Sequence, residues 1–260
     1  MFYSKNVKAF FKVFHKKLSD QKNMASDFAD LFDEGPQEPE PEPEYPVIKW
    51  EGIELRLLNV HHSLWGDKLW EAGKIMSKII KDHQFNVDLK DKTVVEFGSG
   101  AGLSSLCASI SGAKHVVATD YPDENLVENL RYNCSKYPNI DVVGHQWGKD
   151  VTPVLDANEH QKFDVAILAD LVFNHTCHTQ LLQSLTSLLK RDGYALVTYT
   201  HHRTHLVKED LHFFKIAQKK FGMKVEELGT KTHPPMFADD FGPIEVRTTA
   251  HLCRLTFAEP

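Results

Sequence analysis

One acid, a run of alternating glycines and a second acid fall where they could hold a small cationic ligand. Glu96 is followed by Gly98-Ser99-Gly100-Ala101-Gly102, and Asp120 stands 22 residues after Gly98. Glycines at alternate positions let a backbone turn sharply and let a ligand approach with no Cβ in the way. A dinucleotide fingerprint would place its third glycine at 103, where this chain has Leu103. An acid just before the turn repels a pyrophosphate and suits a ligand with an amino group. An acid about 20 residues beyond the glycines is spaced to hydrogen-bond ribose hydroxyls. A ribose, an amino group and no phosphate together describe S-adenosylmethionine. The alternative is a glycine turn that binds nothing.

The elements that must position these residues are legible from periodicity. Thr93-Val94-Val95 is an apolar, β-branched run that reads as a buried parallel strand, and Leu103 to Ile110 continues as an apolar helix. Strands are expected at 93–97, 115–119, 140–146, 163–169 and 193–200, alternating with helices at 102–111, 123–136 and 177–190. Such alternation implies a mostly parallel sheet with right-handed crossovers. A helix at 206–221 and two strands at 223–229 and 245–257, with no helix between them, follow. That last pair must be a hairpin, so one strand runs antiparallel. The expected fold is α/β: a Rossmann-like seven-stranded sheet with helices on both faces, resembling class I methyltransferases. Ile48 to Leu58 reads as a leading hairpin or strand, and Trp65 to Lys81 has helical apolar spacing.

Composition bounds the rest. A chain of 260 residues with 42% hydrophobic content and 16 Phe suits one α/β domain plus extensions. A net charge of -6 gives no global sign of nucleic-acid binding. The four cysteines are scattered with no C-x-x-C, which points to no zinc site, no disulfide framework and a reducing compartment. No apolar run approaches the ~18 residues of a membrane span. Residues 1–23 carry six Lys against Asp20 and place Val7, Phe10, Phe11, Phe14 and Leu18 on one helical face. This basic extension reads as a presequence (though it contains no Arg), as a membrane-surface helix, or as a start upstream of an ordinary one at Met24. Residues 24–46 carry eight acids and no base in a Pro/Glu-rich run, expected to be disordered or extended. The folded domain is expected over 47–260.

Asp170-Leu171-Val172-Phe173-Asn174-His175 follows the fourth strand of the alternation. The D-x-x-F pattern resembles the [DE]-x-x-[YF] motif of the family 16 methyltransferases, which act mainly on protein lysines. The resemblance extends to Ser63-Leu64-Trp65-Gly66, Leu69-Trp70, Asp120-Tyr121-Pro122-Asp123, Leu126-Val127-Glu128-Asn129 and Gln146-Trp147-Gly148, and to the short acidic start Asp30 to Glu34. It is nearest to a fungal subgroup once described as nicotinamide N-methyltransferase-like. For that subgroup it implies methylation of the N-terminal glycine and adjacent lysine of translation elongation factor 1-alpha. A cytoplasmic monomer with no direct nucleic-acid contact is the expectation, and the lysine-rich start is not part of the family pattern. Carried over position by position, the implied cofactor contacts are Trp65, Gly98, Ser99, Gly100, Asp120, Trp147 and Ala169. Glu96 joins them from the reading of the loop.

Asp170 and Phe173 are the catalytic candidates. An amine attacks a sulfonium methyl only when neutral. At pH 7 an α-amino group of pKa about 7.7–8.0 is deprotonated about a tenth of the time or more, whereas a lysine near 10.4 must give up about 4.6 kcal/mol. Asp170 could orient the amine and accept its hydrogen bond, while Phe173 and Trp65 wall the methyl channel. Asn174 and His175 add acceptors or hold the loop. Asp170 as a plain cap for a helix over 171–180 is the competing reading. Trp147 either covers the cofactor or sits in the core rim.

His201-His202-x-x-His205 resembles a metal cluster but lacks an acid or cysteine at suitable spacing, so solvated or substrate-groove histidines are expected. Ser104-Ser105 lies within a helix, not on a G-x-S-x-G elbow, which argues against a hydrolase. Thr232 to Pro243, with Met236, Phe237, Asp239 and Asp240, either lines a substrate entrance or is an ordinary loop. A small-molecule N-methyltransferase and a non-catalytic scaffold stand as the rival functions.

Overall fold

The computed structural model describes residues 44–236 and 242–258. The basic extension 1–23, the acidic segment as far as residue 43 with its Asp30 to Glu34 motif, and Phe237, Asp239 and Asp240 lie outside the described residues.

β1 (Val47–Trp50) and β2 (Ile53–Arg56) form a separate antiparallel hairpin. Helix α1 (Glu71–Lys81) follows. The strand and helix alternation then begins with β3 (Thr93–Phe97), α2 (Leu103–Ile110), β4 (His115–Asp120), α3 (Glu124–Cys134) and β5 (Ile140–Gly144). After a short helix α4 (Thr152–Asp156) come β6 (Phe163–Ala169), α5 (His178–Leu188), β7 (Leu189–Thr200), α6 (Val207–Phe221) and β8 (Met223–Thr232). A four-residue helix α7 (Ile244–Arg247) precedes β9 (Thr249–Phe257).

The main sheet has seven strands in the order β5-β4-β3-β6-β7-β9-β8. Only β9 runs against the rest, pairing antiparallel with both β7 and β8. The expected architecture holds. Both faces are covered, so the central strands β3, β4 and β6 carry unbroken apolar runs (Val94-Val95, Val116 to Ala118, Val165 to Ala169) rather than an alternation. Val94 lies beside Val116 and Val165 and faces α1, α2 and the hairpin, with Leu55, Met76, Ile80 and Leu106. Val95 and Val117 face the other way, onto Leu181, Leu185 and Phe213 of α5 and α6.

Several stretches differ from expectation: β7 begins at Leu189, inside the stretch 177–190 expected to be helix, β8 runs on to Thr232, and α7 lies between the last two strands, where no helix is expected. The helix foreseen from Trp65 starts only at Glu71, because Trp65 is in the left-handed region at φ +61° and Trp70 is extended. Apolar side chains in 64–70 serve a cavity instead of a helix face. The last strand starts at Thr249 rather than 245 because Ile244–Arg247 turns into α7.

The sheet order places the functional end. From β3 the chain moves outward to β4 and β5, then crosses back to place β6 on the other side of β3. The loops after β3 and β6 therefore leave toward opposite faces, and a crevice opens between them at the carboxyl ends of the strands.

Candidate functional site

At that crevice lies a cavity of about 540 Å³, within the ordinary range for small-ligand sites. Its lining includes every residue singled out as a cofactor contact (Trp65, Glu96, Gly98, Ser99, Gly100, Asp120, Trp147 and Ala169) together with Asp170 and Phe173. Residues separated by more than a hundred positions in the chain thus share one wall.

The glycine loop is shaped by two separate demands. Gly98 has φ +58°, and a Cβ there would lie 2.7 Å from the Leu171 Cδ2 atom in the loop after β6. Gly100 has φ +54°, and a Cβ there would meet nothing within 4 Å. Gly98 is needed for the contact between the two loops. Gly100 leaves an open face of backbone.

The loop's amides are directed inward. Ser99 donates to the Thr119 carbonyl at 2.9 Å, Gly100 to Asp120 Oδ2 at 2.7 Å, and Gly102 to the Ser99 carbonyl at 2.7 Å. Glu96, at the end of β3, is buried and reaches the first turn of α2, where its Oε2 accepts from the Ser105 amide at 2.9 Å and from the Ser105 hydroxyl. The start of a helix is where an anion would normally bind. Here the protein's own Glu96 carboxyl occupies the first turn of α2, and the Ser99, Gly100 and Gly102 amides are already bonded within the protein, which leaves less for a phosphate group to engage. Burial pushes the Glu96 carboxyl up to about 7, against the pull of its serine donors.

Asp120 ends β4 and is fixed at both oxygens. Oδ2 accepts from Gly100 and Oδ1 from the Tyr121 amide at 2.7 Å. Burial raises its pKa, and these two bonds oppose the rise. Trp147 follows β5 in a loop held by Ser184, whose hydroxyl meets His145 Nε2 and accepts from the Gly148 amide, each at 2.8 Å. Half-buried, Trp147 packs against the core and also lines the cavity, so the two readings of it coexist.

Asp170 directly follows β6 in the left-handed region, at φ +59°. The residue is buried. Its amide donates to the Thr198 carbonyl at 2.7 Å. Its Oδ1 accepts from the Thr200 amide at 3.2 Å, and its Oδ2 lies 3.0 Å from His202 Nε2. Helix α5 begins eight residues later, at His178, so Asp170 is not a helix cap. Its carboxylate is tied sideways to the end of β7. Phe173 stacks on Trp70 with ring centroids 5.3 Å apart, and Trp65 meets Trp70 edge-on at 6.3 Å. These rings form an aromatic wall beside the carboxylate.

The histidines differ from expectation. His201 is buried, and its Nδ1 lies 2.6 Å from Asp210 Oδ2 in α6. His175 Nε2 meets the other oxygen, Asp210 Oδ1, at 2.6 Å. His202 is bound to Asp170 and meets Trp70 edge-on at 5.1 Å. The acids judged absent are therefore Asp170 and Asp210, which no local spacing rule would join to these histidines. His205 is exposed. Among the described residues no group of three His, Cys, Asp or Glu could hold a metal ion, and no helix is long and apolar enough to cross a membrane. Ser104 and Ser105 are buried in the first turn of α2, where Ser105 serves Glu96.

Comparison with known proteins follows the same line. A family model described as lysine methyltransferase matches residues 49–220. A protein N-terminal and lysine N-methyltransferase of Schizosaccharomyces pombe is 39% identical over 219 residues, covering 81% of this chain and 84% of the relative. One from Candida glabrata is 36% identical over 261 residues, covering 93% and 100%. Among solved structures, Pyrococcus horikoshii TYW2 in complex with MeSAdo superposes with a TM-score of 0.56 at 18% identity, over 82% of this chain and 72% of that one. Trm5b from Pyrococcus abyssi gives a TM-score of 0.53 at 17% identity, over 84% and 57%. At such identities these two bear on the fold alone.

Proposed function

The chain belongs to the lysine methyltransferase family, and from that premise we propose that it methylates the N-terminal glycine amine and the adjacent lysine of translation elongation factor 1-alpha. It is a methyltransferase that uses S-adenosylmethionine. The protein substrate rests on two supports: the motif resemblance from Ser63 to His175, and relatives whose names specify N-terminal and lysine methylation. We further propose a cytoplasmic monomer, with the folded domain over 47–260.

The observation that carries the reading is Glu96 filling the start of α2 while Gly100 leaves its backbone face open. A donor without phosphate, bearing positive charge, fits such a loop. Glu96 and Asp120 are the acids available to its ammonium and ribose. Gly98, Ser99, Gly100, Trp65, Trp147 and Ala169 provide the surrounding surface. When bound, the cofactor supplies an electrophilic methyl group on a sulfonium.

What remains for the chain is positioning and exclusion of water. The Thr200 amide and His202 hold the Asp170 carboxylate in place. From there it can accept a hydrogen bond from a neutral amine and turn the nitrogen lone pair toward the methyl. Phe173, backed by Trp70, and Trp65 present aromatic faces to cationic groups and keep water from the transfer path.

The test is incubation with elongation factor 1-alpha and labelled cofactor, followed by mass spectrometry of the tryptic peptides. Methyl groups on the N-terminal peptide are expected. Label confined to an internal peptide would overturn the site, and no incorporation would overturn the substrate.

A further inference from the structure

The loop that carries the D-x-x-F motif is fastened at both ends to two consecutive residues beyond β7. At its start, Asp170 Oδ2 lies 3.0 Å from His202 Nε2. At its end, His175 Nε2 lies 2.6 Å from Asp210 Oδ1, while the other oxygen of Asp210 lies 2.6 Å from His201 Nδ1. Asp210, His201 and Asp170 are buried, so these contacts are shielded from water. Such bonds are far stronger there than on a surface.

His202 also belongs to the aromatic wall. Its ring meets Trp70 edge-on at 5.1 Å and Phe173 at 5.9 Å, and those two rings stack on each other. One imidazole therefore touches both the carboxylate and the aromatic surface. A carboxylate oxygen accepts, so this contact is a hydrogen bond in the tautomer that carries its hydrogen on Nε2. The second bond to Asp170, from the Thr200 amide at 3.2 Å, reaches the other oxygen. With Thr200 alone the carboxylate could still swing about that one contact. With His202 as well, its plane is fixed relative to Phe173.

We infer that His202 is a positioning residue for methyl transfer: it sets the orientation of the Asp170 carboxylate against the Trp70–Phe173 wall, and the Asp210 bridge from His201 to His175 keeps the loop in register. The inference rests on the proposed role of Asp170 in orienting the amine. It assigns no contact between His202 and substrate. A mis-set carboxylate should leave cofactor binding alone and lower the rate of the bound complex, because displacement by about 1 Å at a reacting centre can cost on the order of 100-fold.

The experiment compares wild type, His202→Ala and His202→Gln on an N-terminal peptide of elongation factor 1-alpha, measuring kcat, KM for each substrate and thermal midpoint. Gln keeps an N–H donor near the position of Nε2, whereas Ala does not. We expect kcat to fall roughly 30- to 100-fold in His202→Ala, with the KM for S-adenosylmethionine within about twofold, and His202→Gln to recover at least about tenfold of the loss. Equal losses in Ala and Gln, or a wild-type kcat in Ala, would overturn the inference. A loss confined to KM would overturn it too. Should His202→Ala fail to fold, His202→Gln against His202→Met at matched thermal midpoints gives the same contrast of donor and no donor. A wild-type protein inactive on the peptide would overturn the proposed substrate instead, and cofactor calorimetry on that same sample separates this from a damaged preparation.

Discussion

The carboxylate of Glu96 lies 2.9 Å from the amide of Ser105, so the acid that ends β3 closes the first turn of α2. The contact has consequences for stability and for ligand charge, because the same acid lines the cavity.

Stability should fall as pH rises through the range of Glu96. Its folded pKa of about 7 stands above its ordinary 4.5. The folded state thus holds the proton between those values while the unfolded chain has released it. The stabilising contribution is complete below pH 4.5 and is lost as pH passes 7. Glu96→Gln should remove this dependence. Urea unfolding of both proteins without cofactor, at pH 5 and pH 8, should show the stability difference moving in favour of Gln by about 2–3 kcal/mol at the higher pH. A parallel pair of curves would refute the account.

Cofactor affinity should move the opposite way. A donor bearing positive charge favours ionised Glu96, so binding below pH 7 must release its proton. Affinity in the wild type should tighten about tenfold between pH 6 and pH 8, and Glu96→Gln should bind with little dependence on pH across that interval. Calorimetry in two buffers of different ionisation enthalpy would reveal the released proton. Its absence at pH 6 would mean that the carboxyl does not sense the ligand.

Gly98 and Leu171 offer a test of the contact between the two loops. A Cβ at Gly98 would come within 2.7 Å of Leu171 Cδ2, on a backbone at φ +58°. Gly98→Ala should cost about 2–3 kcal/mol, part from the left-handed backbone and part from the collision. Leu171→Ala should remove the collision, while carrying its own cost from lost buried packing. A double-mutant cycle by denaturant unfolding should therefore give a favourable coupling of about 1 kcal/mol. Simple additivity would show that the loops separate more readily than the structure indicates.

What local pattern could reveal ended where contacts became long-range. β3, its glycine loop and α2 follow from a β-branched run, three glycines and an apolar octet, all within 93–110. Asp120 follows from spacing and Asp170 from a motif. Periodicity places Trp70 in a helix, because Leu69, Ala72, Ile75, Met76 and Ile79 continue a helical period that the backbone begins only at Glu71. The role of Trp70 depends on Phe173 and His202, more than a hundred residues away, and periodicity carries no information at that range. Asp210 reads as an ordinary first-turn acid of α6, yet it is buried between His175 and His201. For His201 and His202 the sequence predicts solvated or substrate-groove side chains, because only the fold brings Asp210 and Asp170 to them.

The two proposed acceptors should separate on pH. Only the neutral amine reacts, and Asp170 offers a hydrogen-bond acceptor rather than a base strong enough to erase the difference between the two nitrogens. With ordinary pKa values of about 7.7–8.0 and 10.4, the neutral fraction of the α-amine rises about eightfold from pH 7 to pH 9, and that of lysine about 100-fold. Initial rates at saturating cofactor, read by mass spectrometry on an N-terminal peptide and on the same peptide with its α-amine blocked, should follow those two slopes. Asp170→Asn should lower both rates by about 100-fold while leaving cofactor binding near wild type, since misplacing a reacting group by about 1 Å costs on that order. If the lysine slope matched that of the α-amine, the site would be extracting the lysine proton itself. Asp170 would then have to act as a base, which its place between the Thr200 amide and His202 does not favour.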